Sequence, residues 1–184
     1  MDGKKELKDM TLEELWQLFP IVLSTHQPQW KEWAAQEIVL LREILAAYAP
    51  VVSHIGSTAV DGIKAKPIID ILVELPADCD RVQVRGDMEK AGYLCMAQND
   101  TRMSFNKGYT TQGYADRVFH VHIHASGDND EICFRDYLIA HHDVAREYEV
   151  LKSGLLPAYR HDRDGYTAAK SSFIRRVVAL AKGE

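Results

Sequence analysis

The stretch His54-Ile55-Gly56-Ser57-Thr58 is followed, after twelve residues intervening from Ser57, by Asp70-Ile71-Leu72-Val73-Glu74. The runs Val51–Ile55 and Ile68–Val73 are rich in β-branched residues and bounded by Gly and Pro, which predicts two strands joined by a loop. A Gly-Ser-Thr turn presents backbone N–H groups and two hydroxyls, donors suited to an anion such as a terminal phosphate. An acid on the adjoining strand offers the hard oxygen that suits Mg²⁺, the ion a phosphate carries. The same residues also make an ordinary turn and a structural hydrogen-bond acceptor. Spacing alone leaves both readings open.

Outward from this centre the pattern is helical at both ends. Thr11 and Glu14 have capping-box spacing, and Leu12, Leu15, Trp16 and Phe19 follow at helical intervals, so a short helix ends before Pro20. Trp33, Ile38, Leu41, Ile44 and Leu45 recur near a 3.6-residue period and predict a long helix over Trp30–Tyr48. After the two central strands come a helix over Cys79–Ala91, ended by Gly92, and short strands near Tyr93–Met96, Arg102–Lys107 and Arg117–Ala125. From Phe134 the pattern is helical again up to Pro157, and then from Tyr166 to the end. The expected class is α+β: a mixed β-sheet with flanking helices and a C-terminal helical segment.

The 184 residues suit a single domain. Against 27 acids the chain carries 22 Lys and Arg, net −5, so it lacks the basic field that duplex DNA binding relies on. A local phosphate pocket needs only a few cations or N–H groups and stays open. Three cysteines without C-x-x-C spacing indicate neither a disulfide framework nor a zinc knuckle and fit a reducing cytoplasm. Met1–Glu6 mixes charges without an apolar leader core, and no apolar run approaches membrane-spanning length. The expectation is a cytoplasmic protein with no membrane partner.

The run from His54 through Gly56-Ser57-Thr58 to Asp70-Ile71-Leu72-Val73 resembles the signature of the GrpB family, a group placed in the nucleotidyltransferase superfamily. Further blocks agree in order: Leu15-Trp16 with Phe19-Pro20, His120-Val121-His122, Phe134-Arg135-Asp136-Tyr137-Leu138, and Tyr166 through Lys170 to Ile174. The resemblance covers nearly the whole chain and implies a nucleotidyltransferase-like core. It also implies a Gly-Ser turn, two acids one residue apart on the next strand, and a third acid on a later strand. Gly56, Ser57 and Asp70 match, but Leu72 stands at the second acid.

Strand alternation puts Glu74 on the face of Asp70, roughly 7 Å further along. His120, His122 and His124 likewise share one face, where the third acid is expected. One carboxylate hardly bridges two ions, whereas Asp70 with His120 and His122 suits a single Zn²⁺, Mn²⁺ or Ni²⁺, and Mg²⁺ remains the ion of the superfamily pattern. Alternatively the histidines only line a polar cleft.

The resulting expectations are specific. Gly56, Ser57 and Thr58 hold phosphate together with Lys66, with Lys170 and with Arg135, the last taken to open a helix and donate beside its positive end. Asp70 and Glu74 serve catalysis; Asp70, His120 and His122 take a metal. Lys152 is read as either snorkelling to solvent or reaching a phosphate. His141-His142 are read as capping carbonyls at a helix end, and the tryptophans as packing. Three functions are carried: a nucleotidyltransferase-like protein that binds a nucleotide or other small phosphate compound, with transfer from a nucleoside triphosphate to an acceptor; a module that binds without turnover, for want of the second acid; and a metal-dependent hydrolase built on the histidine strand.

Overall fold

A computed structural model describes residues 5–184, with the side chain of Lys8 left out; Met1–Lys4 of the charged start lie outside the described residues. Thr11 and Glu14 close the expected capping box on α1 (Leu12–Leu18), each satisfying the other's backbone N–H. The long helix α2 spans Gln29–Ile44 and is shorter than its periodicity suggested. The chain leaves it through a 3₁₀ turn over Ala46–Tyr48, and Ala49 is left-handed at φ 49°.

The strands are β1 (Val51–Ile55), β2 (Ile69–Leu75), β3 (Leu94–Gln98), β4 (Arg102–Thr110) and β5 (Gly113–Ala125). β4 and β5 are longer than composition indicated, because they run on into a shared hairpin past a bulge between Lys107 and Tyr109. Helix α3 (Arg81–Lys90) sits between β2 and β3, with Asp80 accepting from the N–H groups of Val82 and Gln83. The sheet order is β1-β2-β5-β4-β3, with β2 and β5 parallel and the other pairs antiparallel.

The helical tail is three helices: α4 (Asp130–Ala140), α5 (His142–Tyr159) and α6 (Arg163–Lys182). His141 separates the first two, its ring stacked on Tyr137 and its Nδ1 at 2.9 Å from the Tyr137 carbonyl, which is the capping role expected of it. Pro157 lies inside the last turn of α5 rather than beyond it.

Two apolar clusters hold these layers. On one face of the sheet Ile69, Ile71, Val73 and Leu75 of β2 and Val121 and Ile123 of β5 pack against Trp30, Ala34 and Leu41 of α2 and Val84 and Met88 of α3. That face also buries Glu37 of α2, which accepts from the hydroxyl of Tyr93 and, at 2.8 Å, from Lys107. The second cluster lies among α4, α5 and α6 and takes in Val60 and Ile63 from the loop after the Gly-Ser-Thr turn. The loop is stitched down by Ser24 and Ala65, whose backbones exchange hydrogen bonds of 2.9 and 3.0 Å. The sheet's other face is thereby left between the strands and the helical tail. It is a polar face, and β2 opens to it at one point: every β2 residue is buried except Asp70.

Gly56 marks the junction. Its φ of 72° and ψ of −172° belong to a backbone region open essentially only to glycine. A Cβ there would stand 2.6 Å from Asp70 Oδ2. Gly56→Ala is therefore expected to destabilise the fold by about 1–3 kcal/mol from backbone strain, with displacement of the Asp70 carboxylate in addition. Urea unfolding of the two proteins checks this; an unchanged midpoint would contradict it.

Candidate functional site

Alternation along β2 and β5 and their parallel register decide what the polar face presents. Asp70 pairs with His120, Leu72 with His122 and Glu74 with His124, each pair directed to the same side. Next along, β4 contributes Asn106 opposite His120 and Ser104 opposite His122. Asp70 Oδ1 lies 3.4 Å from His120 Nδ1 and 3.7 Å from His122 Nε2. One donor atom from each of the three falls within 4.8 Å of the others, the spacing of ligands around one ion. Burial pushes the Asp70 carboxyl up, but the contacts from the two imidazoles outweigh it and hold the group well below the usual carboxylate range. Burial lowers His120, against the opposing pull of Asp70. Asp70 is thus an anion facing two imidazoles, the form in which a carboxylate binds a cation.

A two-ion centre of the superfamily pattern needs carboxylates that bridge, and Leu72 at the second acid is fully buried, with only Asp70 carrying a carboxylate in this group. Two imidazoles and one carboxylate fit a single borderline divalent ion better than a Mg²⁺ pair.

Beside Asp70 is the turn. Gly56 abuts its carboxylate, and the hydroxyl of Ser57 accepts from Lys152 Nζ at 2.9 Å. Lys152 also donates to the carbonyl of Lys64 and lies 4.8 Å from the centre of the Tyr148 ring. Lys170 and Lys66 stand over Tyr166, with amines 4.5 and 5.7 Å from its centre. Lys152 and Lys170 are buried and Lys66 is half-buried. Burial and the neighbouring amines lower Lys152 to about 7 and Lys66 to about 8; burial lowers Lys170, against the attraction of Asp70. Among the described residues none of these three amines forms a salt bridge; their neighbours are a hydroxyl, a carbonyl and tyrosine rings. The carboxylates Asp70 and Glu149 attract these amines without forming a salt bridge to any of them among the described residues.

The remaining expected residues are placed elsewhere. Thr58 is buried and its hydroxyl is 2.9 Å from His54 Nε2, so it braces the turn from behind; burial lowers His54 to about 4, and the ring is neutral. Arg135 does not open its helix. It lies five residues inside α4, where Nη1 donates to the His54 carbonyl at 2.7 Å and Nε to Asp136, so it ties the helical tail to the end of β1. Glu74 is buried, and its Oε1 accepts from the Gly127 N–H and from Asn129 at 2.9 and 3.1 Å. It holds the turn into α4 rather than standing beside Asp70. His124, the third of the strand, is also buried, 2.9 Å from the Asp128 carbonyl.

Sequence reasoning left Lys152 undecided and gave no role to Tyr109 or Arg163, which the fold brings against His120: Tyr109 Oη is 2.7 Å from His120 Nε2 and accepts from Arg163 at 2.9 Å. The signal for Lys152 was its place beside apolar residues of α5, which left it free to snorkel to solvent or to reach inward. The other two had none, because they meet only through the docking of α6 on the β4–β5 hairpin.

The sequence pattern of the family described as "GrpB protein" matches residues 20–179. A UPF0157 protein of Pseudomonas aeruginosa is 37% identical over 157 residues, which is 84% of this chain and 64% of that protein, so the chain spans somewhat under two thirds of that relative. The crystal structure of the conserved protein GrpB from Enterococcus faecalis superposes with a TM-score of 0.73 at 30% identity, over 87% of this chain and 96% of that one. The Cid1 poly(U) polymerase bound to MgATP superposes with a TM-score of 0.50 at 12% identity, over 77% of this chain and 47% of that one, and shares the fold alone. A nucleotidyltransferase-like architecture with GrpB sequence blocks spread along nearly its whole length means that this chain belongs to the GrpB family.

Proposed function

We propose that the cleft between the polar sheet face and the helical tail binds a small phosphate-containing molecule, a nucleotide in the reading closest to the fold, together with one divalent ion. The observation that carries this reading is a group of three amines, Lys152 on the Ser57 hydroxyl and Lys66 and Lys170 over the Tyr166 ring, none of them in a salt bridge among the described residues. Ammonium groups removed from water are costly unless paired, and a phosphate chain supplies the missing charge with oxygens that accept from each. Asp70, His120 and His122 would hold the ion, which neutralises phosphate charge. Ser57 and the backbone of the turn orient the phosphate next to it.

Nucleotidyl transfer to an acceptor is the finer form of this proposal. Asp70 stands without a second bridging acid, since Leu72 is buried and Glu74 is taken up by Gly127 and Asn129. The expected behaviour is therefore binding with slow turnover or none.

Asp70→Asn keeps the shape of the side chain and loses its charge, so it should abolish divalent-ion binding, while His122→Ala should weaken Zn²⁺ and Mn²⁺ more than Mg²⁺. Calorimetric titration with the three ions measures this, and equal affinities in the wild type and the Asp70 variant would make the aspartate structural. Lys152→Met should weaken pyrophosphate binding roughly ten- to hundredfold, the range of a hydrogen bond to a charged group. With a value near 7, Lys152 is mostly uncharged at pH 8 in the free protein, and a bound anion raises it. Pyrophosphate binding at pH 8 should accordingly take up protons, visible as a dependence of the heat on buffer ionisation. The uptake should shrink in Lys152→Met; none in the wild type would remove the lysine from the site.

A further inference from the structure

His120 has a partner on each ring nitrogen. Nδ1 faces Asp70 at 3.4 Å, and Nε2 lies 2.7 Å from the hydroxyl of Tyr109. The two rings are near parallel, at 16° with centroids 5.8 Å apart. Arg163, the first residue of α6, donates through Nη1 to the same hydroxyl at 2.9 Å and through Nη2 to Tyr114 at 2.8 Å. Phe19 packs on both tyrosines, with centroids at 4.7 and 5.1 Å. His122 has no such partner among the described hydrogen bonds, so His120 is the braced arm of the trio.

A neutral imidazole carries one N–H, and the nitrogen that offers its lone pair to a cation is the one without it. If Nδ1 is to serve an ion beside Asp70, the proton must sit on Nε2, where it needs an acceptor in a part-buried setting. We infer that Tyr109, braced by Arg163, is a positioning residue for the Asp70–His120–His122 metal site, accepting the Nε2 proton and so holding His120 with Nδ1 toward the ion. The inference rests on the metal reading proposed above.

A phenol is suited to this place because its hydroxyl both donates and accepts. With no ion, an ionised Asp70 accepts from Nδ1–H and Tyr109 donates to Nε2. With an ion, the ring proton moves to Nε2 and Tyr109 accepts it. Arg163 fixes the phenol oxygen in both states, and it ties the start of α6, the helix that carries Lys170, to the metal side of the cleft.

The test is the Zn²⁺ affinity, by competition titration, of the full chain and of Tyr109→Phe. The variant keeps the ring and its packing on Phe19, Tyr114 and His120. Loss of the outer partner of a ligating histidine typically costs ten- to hundredfold in metal affinity, and that is the expected drop. Tyr114→Phe is the matched control: it removes the other hydroxyl held by Arg163 without touching His120, and it should bind Zn²⁺ as the wild type does. Nitrogen-15 spectra of the Zn²⁺-loaded wild type should show His120 protonated at Nε2, with that proton's hydrogen-bond signature lost in Tyr109→Phe. Equal Zn²⁺ affinity in the wild type and Tyr109→Phe overturns the inference and leaves the metal site standing. An equal loss in both tyrosine variants also overturns it, by showing a general packing effect. A wild type that binds no Zn²⁺, Mn²⁺ or Mg²⁺ overturns the metal reading and the inference together.

Discussion

The parallel pairing of β2 with β5 is the constraint on which the rest of the site depends. It sets Asp70 opposite His120 and Leu72 opposite His122, and because side chains alternate along a strand, a slip of one residue in β2 would turn Asp70 into the apolar face and away from the histidines. The register is held by what lies on that other face. Ile69, Ile71, Val73 and Leu75 are packed with Val121 and Ile123 beneath α2 and α3. The chemistry of one side is therefore fixed by hydrophobic burial on the other. Gly56 closes the arrangement, since only a residue without a side chain lets the turn come down on the Asp70 carboxylate.

Charge is handled differently on the two faces. Under α2, buried Glu37 has Lys107 and Tyr93 as partners, and Lys107 lies over the Tyr93 ring at 4.7 Å. That cluster is complete and needs nothing more, as buried polar groups generally are. In the cleft the balance is open: three amines face rings, a hydroxyl and a carbonyl, while one carboxylate faces two imidazoles. An incomplete set of buried charges is costly to maintain for stability alone, and this contrast within one molecule is the ground for proposing a ligand there.

The helical tail is fastened to the sheet beside the Gly-Ser-Thr turn. Arg135 fastens α4 to the carbonyl of His54, and Glu74 fastens the turn before α4 to β2 through Gly127 and Asn129. Two charged residues that look chemical in the linear chain thus spend their hydrogen bonds on orientation. Their work places α5 and α6, and with them Lys152 and Lys170, across from the Gly-Ser-Thr turn.

Much of this was legible before the fold was known. Strand alternation from the predicted strands at Ile68–Val73 and Arg117–Ala125 determined that Asp70 would share a face with Glu74, and that His120, His122 and His124 would share one face. Thr11 and Glu14 determined a helix start, and the α+β order followed from the alternation of composition along the chain. These are local properties: the pleat of a strand and the pitch of a helix fix the direction of a side chain from its neighbours in sequence. What a side chain meets in that direction is not local. Only the tertiary structure decided that Glu74 would be consumed by a turn 53 residues away, that Lys152 would reach Ser57 instead of solvent, and that Arg163 and Tyr109, 54 residues apart, would meet at His120. Such meetings depend on how α4, α5 and α6 dock, and docking is set by the summed burial of clusters such as Phe134, Tyr148 and Val177 rather than by any residue's nearest neighbours in the chain.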